Sequence, residues 1–141
     1  MKKLNNLSKE ELIKIIERLF DSLVIDPTYK IYSKSFAVEY LKKNIAIYKR
    51  YKKIKLTIIL FPFDSHVIPK LKNLLRASDL IAKYDELFLI VLMDTGTVGT
   101  LKVYKKLSNL FGKKGKIIEV KQVDTFSDIL KEINRSSTGL C

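Results

Sequence analysis

The apolar positions of this chain fall into two kinds of pattern. Between residues 12 and 23, Leu12, Ile13, Ile15, Ile16, Leu19, Phe20 and Leu23 recur at helical spacing. Ser8 and Glu11 stand ahead of them as a capping box, the serine accepting a first-turn N–H and the glutamate reaching back. Asp26-Pro27 ends that helix, because a proline ring disfavours the α conformation in the residue before it. Ser33 or Ser35 then caps a second helix whose buried face is Phe36, Val38, Tyr40, Leu41, Ile45 and Tyr48, closing at Lys52-Lys53. Residues 56–61, Leu-Thr-Ile-Ile-Leu-Phe, form a continuous apolar, β-branched run and predict a central strand ended by Pro62. Pro69 suits a first helical position, with Leu71, Leu74 and Leu75 in a short helix behind it.

Residues 79–84 and 87–92 predict two strands joined at Asp85 and Glu86, a gap that admits only a hairpin although Asp-Glu is poor turn chemistry. Residues 95–99, Thr-Gly-Thr-Val-Gly, read as a loop. A helix over 100–111 follows, with Leu101, Tyr104, Leu107, Leu110 and Phe111 inward. A fourth strand is predicted over 116–123, and Thr125 or Ser127 caps a last helix through Asn134. The expected organisation is an N-terminal amphipathic, linker-type helix over 1–25, a domain over 26–135 and a flexible tail over 136–141. The domain is α+β: a four-stranded antiparallel sheet in the βαββαβ order of palm and ferredoxin-like folds, with helices mainly on one side.

Composition narrows what such a domain can do. At 141 residues and 47% hydrophobic, the chain has one domain's worth of core. One histidine and one cysteine, Cys141 at the last position, exclude His-pair and Cys-based metal sites and a disulfide framework. Met1-Lys2-Lys3 leads into Asn5 and Asn6 with no apolar stretch, so no signal peptide is expected, and no apolar run reaches the length of a membrane span. A cytoplasmic protein is expected, with association to a membrane-bound assembly left open.

Charge is the composition's strongest departure. There are 27 basic and 15 acidic residues, a formal charge of +12. Residues 27–64 hold nine basic and two acidic groups, and residues 101–141 hold nine and four. Lys42, Lys43, Lys49, Arg50, Lys52, Lys53 and Lys55 run without an intervening acid, which suits an anionic partner. Lysines at a helix C-terminus also answer the helix dipole and need no partner. Tyr48 and Tyr51 among these lysines fit nucleic-acid stacking, but their spacing matches the core residues, so burial is the stronger expectation.

The stretch Arg76-Ala77-Ser78-Asp79-Leu80-Ile81-Ala82-Lys83-Tyr84, continuing Asp85-Glu86-Leu87-Phe88-Leu89-Ile90-Val91-Leu92, resembles the GGDEF domain of diguanylate cyclases. That family has R-x-x-D-x-x-x-R-[YFL]-G-G-[DE]-E-F followed by an apolar strand. Asp26-Pro27, Ile31-Tyr32 and Lys34 fall where the family has D-x-L-T-G-L-x-N-R-R, and Phe61-Pro62-Phe63-Asp64 ends a strand like the family's D-x-D strand. The resemblance covers roughly residues 24–134 and rests on order and spacing, since no motif is intact.

The departures bear on activity. The resemblance implies two glycines that let backbone approach GTP, and carboxylates that hold two divalent cations for phosphoryl transfer. Here both glycines are absent, Pro62 stands in the position of the first metal aspartate, Asp64 is in a less direct place, and Glu86 alone matches the hairpin acid. Only the residues from Ser65 to Leu75 stand where the family's guanine-reading segment lies. The expectation is a catalytically inactive, shortened relative that needs no cofactor.

Arg76 and Asp79 match the family's inhibitory R-x-x-D, which implies a cyclic di-GMP site: arginine forks onto a guanine edge or phosphate, and aspartate accepts guanine N–H groups. The plain reading makes Arg76 the end of a helix and Asp79 the start of a strand. His66 has no partner for a metal and suits an exposed loop, and Asp124 and Asp128 suit a turn and a first helical turn. The leading expectation is a protein-interaction adaptor or structural component of a larger bacterial assembly. Its partner would meet the basic residues Lys42, Lys43, Lys49, Arg50, Lys52 and Lys53, or the first helix through Leu12, Ile16 and Leu19, whose spacing also suits a homo- or hetero-oligomeric coil. A cyclic di-GMP effector is the alternative, and nucleic acid a third.

Overall fold

The structure, a computed structural model, describes residues 8–22, 25–26, 28–52 and 55–140. Met1 to Lys3, Asn5, Asn6, Leu23, Pro27, Lys53 and Cys141 lie outside the described residues. Ten elements follow one another: α1 (Lys9–Ser22), α2 (Lys34–Tyr51), β1 (Leu56–Pro62), a 3-10 turn (Ser65–Val67), α3 (Ile68–Leu74), β2 (Leu80–Tyr84), β3 (Leu87–Met93), α4 (Thr97–Phe111), β4 (Lys116–Glu119) and α5 (Phe126–Leu140). The strands form one antiparallel sheet in the order β2-β3-β1-β4. The α+β class and the four strands match the expectation.

The caps are where the sequence puts them. The Glu11 N–H donates to Ser8 Oγ at 3.1 Å, and the Ser8 hydroxyl donates to the Glu11 carboxylate at 3.1 Å. Ser33, rather than Ser35, accepts from the Phe36 N–H and starts α2. Thr125 and Asp128 cap α5 reciprocally, each side chain accepting from the other's N–H at 3.1 Å. Asp128, with two acceptor bonds from Thr125 behind it, is held below the usual carboxylate range.

The sheet is covered on both faces, not mainly on one. Leu56, Ile58, Leu60, Leu89 and Val91 pack against Ala37, Leu41 and Ile45 of α2 and Ile129 and Ile133 of α5. Ile59, Phe61, Phe88, Ile90 and Leu92 pack against Ile68 and Leu71 of α3 and Leu107 of α4. The continuous apolar runs of β1 and β3 carry the reason, since alternate residues of a strand point to opposite faces and both sets here are buried. The β2 edge is occupied: the Tyr32 N–H donates to the Ile81 carbonyl and the Lys83 N–H to the Tyr32 carbonyl, a parallel bridge from the segment before α2. No strand among the described residues pairs with the outer edge of β4.

Three further expectations need correction. Residues 97–99 are the first turn of α4 rather than loop, with Gly96 as an N-cap that offers no side chain. Consequently Thr100, Tyr104, Leu107 and Phe111 share the inward face, and Leu101 is 54% exposed. The strand expected over 116–123 stops at Glu119, because Lys121 and Asp124 close a turn in which the Lys121 N–H donates to the Asp124 carboxylate. Residues 136–140, read as tail, continue α5: the hydroxyls of Ser136 and Ser137 donate back to the carbonyls of Glu132 and Asn134 instead of competing with the helix.

Candidate functional site

Two ends of the sheet hold the residues singled out above. At the hairpin end, Pro62 is the last ladder position of β1, opposite Leu87. The Phe63 N–H donates to the Glu86 carbonyl at 2.9 Å, so the chain leaving β1 is pinned to the hairpin turn. Asp85 takes up the left-handed conformation at φ 54°, which lets an Asp-Glu pair turn where glycine is usual. Its carboxylate accepts from Lys34 Nζ at 3.0 Å, and Lys34 also sits 4.7 Å from the centre of the Tyr84 ring. Burial raises the pKa of Tyr84, opposed by the Lys34 charge.

Aromatic rings fill the space beneath this turn. Phe63 packs on Phe88 and Tyr29, each at 4.8 Å between ring centres, and Phe61 stacks on Phe111 at 4.6 Å. Pro62 has no side-chain oxygen, and the Asp64 carboxylate accepts from the His66 N–H at 3.0 Å as the cap of the 3-10 turn. Among the described residues no group of three or more His, Cys, Asp or Glu is arranged to hold a metal ion. His66 is exposed, as expected of a loop residue.

At the opposite end, the segment Arg76 to Asp79 forms a closed turn between α3 and β2. The Asp79 carboxylate, its side chain only 2% exposed, accepts from the Arg76 backbone N–H at 3.1 Å and from Nη2 at 3.2 Å. The same Nη2 donates to the Met93 carbonyl at 3.0 Å and to Thr95 Oγ1 at 2.7 Å. Arg76 is therefore not a helix cap: α3 ends at Leu74, and the arginine ties its own turn to the end of β3. The contacts to Met93 and Thr95 lie 17 and 19 residues away in sequence, and no local signal marks them. Asp79 also borders a cleft of about 240 Å³ with Ile25, Lys30, Tyr32, Lys72 and Ile81. Burial, then the charge of Asp79, raises the pKa of Tyr40.

The candidate partner residues sit apart from both ends or along the helices. Lys42, Lys43, Lys49, Arg50 and Lys52 are all exposed on or just after α2, with Lys52 as its left-handed C-cap. Lys53 lies outside the described residues. Tyr48 is half-buried, but Tyr51 is 54% exposed, against the expectation of burial, with the Arg50 guanidinium over its ring. The second basic block lies largely on α4 and the turn after it, on the face of the sheet opposite α2. Leu12 is half-buried in α1, the helix that also carries Ile16 and Leu19.

No family profile matches the chain, and no curated protein matches it. Solved structures do. The diguanylate cyclase SiaD from Pseudomonas aeruginosa, solved with its activator SiaC, superposes with a TM-score of 0.64 at 15% identity over 93% of this chain, which spans 62% of SiaD's length. A microbial GGDEF domain solved with cyclic di-GMP gives 0.63 at 13% identity, over 83% of this chain and 89% of that one. The coiled coil and GGDEF domain of DgcB from Caulobacter crescentus, also with cyclic di-GMP, gives 0.60 at 9% identity, over 89% and 84%. The chain has the fold of a GGDEF domain.

Proposed function

We propose that this chain is a non-catalytic GGDEF-fold domain that works through contact with another protein. The observation that carries the reading is the hairpin end. Pro62 occupies the position that the resemblance assigns to a metal-binding aspartate, Asp64 is engaged as a cap, and Tyr29, Phe63 and Phe88 pack beneath the turn. Phosphoryl transfer is largely positioning and charge neutralisation, and the groups for both are replaced together. A protein partner is in keeping with SiaD, which was solved with an activator. The surfaces offered are the exposed lysines of α2, Lys42, Lys43, Lys49, Arg50 and Lys52 with Lys53 beyond them, and α1 through Leu12, Ile16 and Leu19. Purified protein given GTP with Mg²⁺ or Mn²⁺ should make no cyclic di-GMP, and turnover above a no-enzyme blank overturns the reading.

A second reading has cyclic di-GMP bound at Arg76 and Asp79, favoured by the neighbours solved with that dinucleotide. It ranks second because the guanidinium and carboxylate already bond each other, and a ligand must displace those bonds. Calorimetry decides: binding that Arg76→Ala weakens by about 2–4 kcal/mol, the range for removing one partner of a charged hydrogen bond, would promote it over the first.

A further inference from the structure

Of the seven large apolar side chains exposed among the described residues, four lie at the end of the sheet away from the hairpin. There β1 begins, its two neighbours β3 and β4 end, and the Asp94 N–H donates to the Lys55 carbonyl at 2.7 Å, tying two of the connecting loops. Tyr51 is 54% exposed, Val98 68%, Leu101 54% and Val123 81%. They stand on three separate connections: the end of α2, the first turns of α4 and the turn before α5. Neither the cleft beside Asp79, nor that beside β4, nor that beside Lys34 is lined by any of the four.

Amines surround these tips. Val98, Leu101, Lys102 and Lys105 are all exposed and fall on one face of α4 at i, i+3, i+4 and i+7. No acidic residue occurs in α4. Arg50, Lys52 and Lys121 are exposed at the same end, and Lys55 is half-buried there. The acids at this end are Asp94 and Asp128, both exposed, and Glu119 and Asp124, both half-buried, fewer than the six basic residues; the Asp124 and Asp128 carboxylates accept the Lys121 and Thr125 N–H groups.

We infer that this end of the domain docks on an anionic lipid bilayer, with Val98, Leu101 and Val123 entering the boundary of the acyl layer and Lys102, Lys105 and Lys121 meeting headgroup phosphates. Apolar tips on separate loops, interleaved with amines, match a partner that is deformable, anionic at its surface and apolar beneath. The long lysine stems suit that boundary, since they lie along apolar surface with the amine in the aqueous layer. This goes beyond the protein-contact reading: Arg50 and Lys52 border both surfaces, but Lys42 and Lys43 lie further back along α2, on the face of the sheet opposite α4.

The test is co-sedimentation of the full chain with phosphatidylcholine vesicles, with and without phosphatidylglycerol. The protein should bind only the vesicles containing phosphatidylglycerol. Val98→Ser with Val123→Ser, both surface changes, should lower partitioning on the order of tenfold at low salt. Lys102→Glu with Lys105→Glu should abolish it, while Lys42→Glu with Lys43→Glu, an equal change in charge, leaves most of it. Residual binding should fall steeply as salt rises. Failure to bind phosphatidylglycerol vesicles overturns the inference. So does equal damage from the two lysine pairs, which would reduce the effect to net charge. If the valine pair has no effect and the same lysines retain RNA, the surface belongs to a polyanion and not to a bilayer.

Discussion

The two ends of the sheet differ in what they do with their side chains. The hairpin end is filled: Phe61, Phe63, Phe88 and Phe111 stack under the turn, and Tyr104 donates its hydroxyl to the Gly115 carbonyl while accepting the Gly115 N–H. The far end is open, with exposed apolar tips and a network, Arg76 to Asp79, Met93 and Thr95, that lies near the surface. In a GGDEF fold the resemblance places chemistry at the hairpin. Here that end is packed with aromatic rings, and exposed apolar side chains sit opposite. The contrast predicts that stability resides mainly at the hairpin end.

The largest effect expected is from Phe61→Ala. The ring is fully buried against Phe111 and Tyr104, and its loss should cost about 3–5 kcal/mol in denaturant unfolding. Gly115→Ala comes next. Its added carbon would run into the Leu60 carbonyl oxygen and lie 2.7 Å from the Phe61 ring, a clash with backbone worth about 1–3 kcal/mol. At the far end Arg76→Ala should cost less, about 1 kcal/mol, because the arginine is more than half exposed and the Asp79 carboxylate keeps the residue-76 backbone N–H. A cost for Arg76→Ala equal to that of Phe61→Ala would erase the contrast.

Effects of the same small order lie at the start of α5. Thr125→Ala removes a helix cap and should lower stability by about 1 kcal/mol. Asp128 has its pKa lowered by the Thr125 hydrogen bonds, so its ionised form belongs to the folded state. Its contribution is complete above about pH 3.8, the ordinary value, and disappears as pH falls through the lower folded value. Acid unfolding of Asp128→Asn should lack that component, which a comparison of melting temperatures at pH 6 and pH 3 detects (roughly the two sides of the carboxylate range).

Much of the fold is legible in the sequence because local chemistry and tertiary structure agree. Ser8, Ser33 and Thr125 cap the helices they precede, and the apolar runs of β1 and β3 pair as neighbours. Illegible features depend on distant contacts or on weak propensities. Gly96 offers no capping group, so the first turn of α4 resembled loop. Ser136 and Ser137 look like tail residues until their hydroxyls bond back into α5. The R-x-x-D motif is visible at Arg76 and Asp79, but nothing nearby announces that Thr95 and Met93 complete its bonding. The aromatic filling of the hairpin end is likewise assembled from residues as far apart as Tyr29 and Phe111.

The occupied edge at β2 has a bearing on self-association. A sheet that adds strands without limit needs two receptive borders on every molecule, one to accept and one to offer. Tyr32 fills one of them, and β4, with no further strand on its outer edge among the described residues, is the other. Two molecules meeting strand to strand at β4 would exhaust each other's free border, so assembly by this route terminates at a pair and does not propagate into a fibre.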